Sequence, residues 1–191
     1  MAWRTEDRRT ATFEATEGPF LTEEMKSHLR DTYFPRYPTK RAVLLPALHM
    51  IQHEYNWIPM KAVQEVADFL EIAPAEALDT ATFYEEYWLR PKGKYLVQVC
   101  RSLSCEICGS RQITDHLRDK LGIEVGETTN DGKFTLIELE CLGSCGTAPA
   151  VLVNDVLYED VTTQSVEQLI RELPNDPHDF KDPTVDWETD H

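Results

Sequence analysis

Two apolar runs, YLVQVC and TLIELEC, alternate in the manner of β-strands and each ends on a cysteine that a second cysteine follows four or five residues later. The pairs are Cys100 with Cys105 and Cys141 with Cys145. Two strand ends that each deliver two thiols to one place build a four-thiolate metal site, and an iron–sulfur cluster is its leading occupant. The chemistry that follows is electron transfer.

The rest of the composition narrows the class. With 191 residues and 41% hydrophobic content, the chain is long enough for one ordinary domain or two small ones. A formal net charge of −15 excludes phosphate-backbone binding, which needs clustered Lys and Arg, so nucleic acid is not a partner. No run of about 18 apolar residues occurs that would insert in a membrane, and MAWRTEDRRT lacks the apolar core of a secretory signal. The reading is a cytoplasmic, bacterial protein. In that compartment an odd count of five cysteines argues for reduced thiols on a metal rather than a disulfide framework.

Hydrophobic periodicity divides the chain. Residues 1–20 have few large apolar groups and read as a mobile lead-in. Residues 21–91 carry helical patterns: Thr22 caps a helix with Met25, Leu29 and Tyr33, which Pro35 and Pro38 break. Leu44, Leu48, Ile51 and Tyr55 share one face of a second helix, with Pro46 either kinking it or lying in its first turn. A third helix follows Pro59 with Val63, Val66, Ala67 and Leu70 as its stripe, and a fourth opens near Pro74. After Lys92-Gly93-Lys94 the order becomes β, α, β, β, β, α, through YLVQVC, ITDHLRDKLG, FTLIELE, a hairpin around Asn154-Asp155 and a helix with Val166, Leu169, Ile170 and Leu173. This gives an α+β chain, a small helical bundle over 21–91 followed by an α/β domain over 92–174. Residues 175–191 read as a solvated acidic tail.

A [2Fe-2S] cluster takes two thiolates per iron, and each cysteine pair can wrap one iron in its own loop. Backbone N–H groups aimed at sulfur stabilise such a cluster, and Gly143 and Gly146 permit the close approach this needs. Ser102, Ser104, Ser144 and Thr147 are candidate hydroxyl donors. The cluster carries a formal charge of about −2, and about −3 once reduced, so in an acidic chain a low potential is expected.

Three rival readings remain. Cys100, Cys105 and Cys108 match the C-x4-C-x2-C start of plant-type ferredoxins, leaving one of Cys141 and Cys145 surplus. Cys105 and Cys108 form a CxxC, the spacing of a dithiol redox pair. Four cysteines at these spacings also suit structural zinc in an interaction module. Elsewhere, His49 and His53 lie four apart on one helix without a third ligand, and Trp57, Phe83 and Tyr84 read as core or interface anchors. With no G-x-G-x-x-G and no P-loop, the chain is expected to have no nucleotide site of its own, so nicotinamide chemistry belongs to a partner.

The stretch from Tyr37 to Leu173 resembles the 24 kDa-type, thioredoxin-like [2Fe-2S] subunits of respiratory complex I, the E-type subunits of NADH-quinone oxidoreductase. The resemblance lies in YPTKRAVLLPALHMIQHEYNWIP and VADFLEIAPAEALDTATFYEEY, and in VQVCRSLSC, ECLGSCGTAPAVLVND and LYEDVT. It implies a helical N-terminal domain, a thioredoxin-like cluster domain and the ligands Cys100, Cys105, Cys141 and Cys145. It further implies a flavin-bearing NADH-binding partner, with FMN on that partner, among other peripheral-arm subunits at the cytoplasmic face of the inner membrane. In such subunits the cluster is a temporary acceptor of electrons from the flavin. Related subunits serve NAD-dependent hydrogenases and formate dehydrogenases. Cys108 departs from the family pattern.

Overall fold

A computed structural model describes residues 19–174, so residues 1–18 of the lead-in and the acidic tail from Asn175 lie outside the described residues, while Phe20, read as part of the lead-in, is buried in the helical core. The chain divides into two compact units, one ending at Pro91 and the other beginning at Lys92.

The first unit is helical. Thr22 caps α1 (Glu23–His28), its hydroxyl accepting the Met25 N–H at 3.2 Å. Proline does not end the helical path at once: α1 widens into a π-helical turn over Leu29–Tyr33 and then tightens into a 3-10 turn over Phe34–Arg36 that contains Pro35. Glu65 fixes the entry of the chain by accepting the Phe20 and Leu21 amides at 2.7 and 2.8 Å.

A second 3-10 turn, Lys40–Val43, leads into α2 (Leu44–Tyr55). Pro46 is its third residue, inside the first turn, where a missing N–H breaks no helical bond. The buried face of α2 is Leu44, Ala47, Leu48 and Ile51, and Tyr55 is only partly buried at its end. Helix α3 (Met60–Leu70) buries Ala62, Val63, Val66, Ala67 and Leu70, and α4 (Pro74–Phe83) starts on a proline. These faces meet in one core that also takes Phe20, Leu21, Leu29 and Ile58.

The second unit is α/β. Strand β1 (Tyr95–Cys100) is buried along its whole length, because it lies inside the sheet with neighbours on both sides. Two helices follow where the periodicity indicates one: α5 (Leu103–Ile107) and α6 (Ser110–Leu121). Gly122, at φ 67°, ends α6. Then come β2 (Phe134–Leu139), β3 (Val151–Val153), β4 (Val156–Tyr158) and α7 (Thr163–Glu172), the last capped by reciprocal bonds between Thr162 and Ser165. The sheet order is β2-β1-β3-β4, with β1 and β2 parallel and the other pairs antiparallel. Asn154, at φ 52°, turns the β3–β4 hairpin, and its side-chain oxygen accepts the Leu96 N–H at 2.9 Å. Among the described residues no helix is long and apolar enough to cross a membrane.

Candidate metal centre

Sheet topology brings the cysteines together. Because β1 and β2 are parallel and in register from Tyr95↔Phe134 to Cys100↔Leu139, both chains leave the sheet side by side at the same end. Strand β3 flanks β1 on its other side and runs the opposite way, so it begins at that same end. The connection from β2 to β3, residues 140–150, must therefore pass over the end of β1, where Cys100 sits. That connection carries Cys141 and Cys145.

Local bonds fix the crossing. The Cys100 N–H donates to Ala150 O at 3.1 Å and the Arg101 N–H to Leu139 O at 2.9 Å. Arg101 Nε also donates to the Glu140 carboxylate at 3.1 Å, joining the residue after Cys100 to the residue before Cys141. The pair is exposed, so its role is to set geometry rather than to add much stability.

Cys105 reaches the site by a different route from the loop expected between the first two cysteines. It lies on α5, one short helical turn beyond β1, with its thiol turned inward. Cys100 and Cys105 are both buried and pack with Ala150 against Leu142 and Ala148. Burial pushes the Cys105 thiol up, a backbone hydrogen bond with Ala150 pulls it down, and the neighbouring Cys100 and Cys145 raise it again. Cys141 and Cys145 are exposed, and the Cys141 sulfur accepts the Gly143 N–H at 3.3 Å.

The donor set fits an iron–sulfur cluster in chemistry: four thiols, from the end of β1, from α5 and from the β2–β3 connection, with a backbone N–H already aimed at the Cys141 sulfur. Gly143 adopts φ +80°, which its turn requires, and a Cβ built at Gly143 or Gly146 would meet nothing within 4 Å, so the loop leaves open room there. Among the described residues no three His, Cys, Asp or Glu side chains form a closed ligand set; Cys100 and Cys105 are buried, and Cys141 and Cys145 are exposed.

The hydroxyls divide. Ser102 caps α5 without a side-chain bond. Ser144 and Thr147, candidate donors to sulfur, hydrogen-bond Glu159, and their oxygens lie 2.6 Å apart. These two hydroxyls hold the Glu159 carboxyl below the usual carboxylate range. Glu159 escapes sequence reasoning because it follows β4, far along the chain from the turn it touches; its only signal is its place in LYEDVT.

Cys108 ends α5 and is exposed, while its CxxC partner Cys105 is buried. His49 and His53 are exposed on α2 and line a cavity of about 720 Å³ with Met25, Tyr33, Leu45 and Met50. The His49 ring packs 4.9 Å from that of Tyr87. Trp57 is half-buried, whereas Phe83 and Tyr84 are exposed and stack edge to face at 5.2 Å, so neither is a core residue.

A mixed four-stranded sheet with helices, and cysteine-bearing segments at one end of it, make a thioredoxin-like α+β fold. Residues 31–174 match the thioredoxin-like [2Fe-2S] ferredoxin family, and the chain belongs to it. It is 41% identical over 160 residues to the E-type subunit of the NADH-quinone oxidoreductase of Rickettsia felis, covering 82% of this chain and 96% of the relative. It is 40% identical over 154 residues to NADH-quinone oxidoreductase subunit 2 of Thermus thermophilus, covering 79% and 84%. Among solved structures, the air-oxidized NAD+-reducing [NiFe]-hydrogenase shares the fold, with a TM-score of 0.61 at 24% identity over 68% of this chain. The chain spans 22% of that hydrogenase chain.

Proposed function

We propose that this chain is the iron–sulfur electron-transfer subunit, of the E type, in an NADH-quinone oxidoreductase. Its [2Fe-2S] cluster would be held by Cys100, Cys105, Cys141 and Cys145. Bound there, the cluster supplies reversible one-electron storage at low potential. The partner is the flavin-bearing NADH-binding subunit, whose FMN would give and take the electrons, within a peripheral arm at the cytoplasmic face of the inner membrane.

The observation that carries this reading is the crossing of residues 140–150 over the end of β1, which gathers two cysteine pairs from distant sequence. The chain's own residues then do three things. Cys100, Cys105, Cys141 and Cys145 would hold the cluster as thiolates, since ligation would favour the deprotonated form even of a buried thiol such as Cys105. The Gly143 N–H gives a hydrogen bond to sulfur. Ala150, Leu142 and Ala148 keep water from the Cys100 and Cys105 side, while Cys141 and Cys145 face outward, where a partner can approach. Relatives near 40% identity that match over nearly their whole length favour a quinone-linked complex over a hydrogenase or a zinc module.

Anaerobic purification of the chain together with the NADH-binding subunit of the same organism tests the proposal. A brown complex whose [2Fe-2S] EPR signal appears when strong reductant is added supports it. Colourless protein with one zinc per chain, or two subunits that never associate, overturns it.

A further inference from the structure

We infer that Glu159 is a positioning residue that locks the turn bearing Cys145 and keeps the potential of the bound cluster low. This rests on the cluster-binding reading above and names a residue that governs it.

Strand β4 runs in the same direction as β1, so Glu159, just past its end, emerges at the sheet end that carries the cysteines. Two backbone bonds then lay the next residues along the cysteine loop. The Asp160 N–H donates to Thr147 O at 2.8 Å and the Val161 N–H to Pro149 O at 3.0 Å. This docking presents the Glu159 carboxylate to the hydroxyls of Ser144 and Thr147, the residues that bracket Cys145 in a 3-10 turn.

Two consequences follow from the proton count. Each hydroxyl has one proton to donate. Two hydroxyl protons serve the three close contacts among Ser144, Thr147 and Glu159, so both stay within the triad and neither hydroxyl gives one to a sulfur. The carboxylate also fixes a negative charge beside the turn that holds a cluster ligand. Fewer donors to sulfur and one more nearby anion both disfavour the incoming electron, so the effects add in the same direction. A Glu159→Gln change reverses both: it removes the charge, and its amide, itself a donor, releases a hydroxyl proton toward the cluster side.

The test is a redox titration of the anaerobically loaded full chain, followed by EPR and visible absorption, with iron content measured in parallel. Glu159→Gln should move the midpoint potential upward. Glu159→Asp, which keeps the charge, should stay near the parent, whereas Glu159→Ala, which also removes the charge, should shift upward and covers the case in which the amide variant folds poorly. Glu167→Gln on α7 removes an equal charge that pairs with Lys120, and its shift should be the smaller one. Read on the cluster that remains bound, a Glu159→Gln midpoint equal to the parent's or no higher than that of Glu167→Gln overturns the inference, because a purely structural buttress changes occupancy and not potential. If the parent chain carries no [2Fe-2S] cluster, the proposed function itself fails.

Discussion

Replacing Gly143 and Gly146 by alanine, one at a time, separates what the turn's backbone demands from what its surroundings demand. A Cβ at either position would meet no protein atom within 4 Å, so neither change creates a clash. Gly143 alone sits at positive φ, +80°, where a Cβ crowds its own backbone at a cost of roughly 1–2 kcal/mol. Alanine also stiffens the unfolded chain, worth about 0.4–1 kcal/mol in its favour, but that gain is common to both variants and cancels between them. The difference in stability is therefore the conformational cost, about 1–2 kcal/mol. In a unit of about 100 residues each kcal/mol moves the melting midpoint by roughly 4–8 °C, so Gly143→Ala should melt about 4–16 °C below Gly146→Ala. Scanning calorimetry of the full chain after anaerobic removal of iron reads this gap with the cluster's own contribution absent. A gap below about 0.5 kcal/mol, or a Gly146 variant that is the less stable, would refute the assigned turn conformation.

Other expectations are checked as readily. Leu48→Ala, at a fully buried position of the helical core, should cost about 2–5 kcal/mol in urea unfolding monitored by circular dichroism, and a loss under 1 kcal/mol would contradict the packing. Gly93→Ala would press a Cβ to within 2.6 Å of the Phe134 carbonyl carbon, a backbone atom that cannot swing away, and should cost about 1–3 kcal/mol by the same assay. Lys120, through its hydrogen bond and charge, holds the Glu167 carboxyl below its ordinary value of 4.5. The unfolded chain then binds more protons in acid, so this contribution is present above about pH 4.5 and fades as pH falls through the lowered folded value. Melting midpoints of Glu167→Gln should accordingly fall less steeply on acidification than those of the parent; parallel curves would exclude the link.

Sequence periodicity and turn residues made the strands and the longer helices visible, down to the three-residue strands β3 and β4, but not the short helix α5. Leu44, Leu48 and Ile51 mark α2 because several turns repeat the pattern, whereas α5 spans only Leu103–Ile107, too few residues to show a period, so RSLSCEIC reads as loop. The error matters at the site: a helical turn, not a loop, carries Cys105 inward and leaves Cys108 outside. Prolines mark interruption without its form, and Pro35 lies inside a 3-10 turn rather than stopping the chain. The cysteine spacing named the candidate ligands, but only the β2-β1-β3 order explains how two pairs about forty residues apart share one sheet end. Glu159 shows the limit most clearly, since Ser144 and Thr147 look like donors to sulfur until a carboxylate from beyond β4 is seen accepting their hydrogen bonds.

The most direct test of the central claim is the iron content of the full chain, purified without air, across the five single Cys→Ser variants. About two irons per chain in the parent and in Cys108→Ser, with loss of the cluster from Cys100→Ser, Cys105→Ser, Cys141→Ser and Cys145→Ser, is the predicted result. Iron lost with Cys108, or a full cluster retained without Cys141 or Cys145, would contradict it.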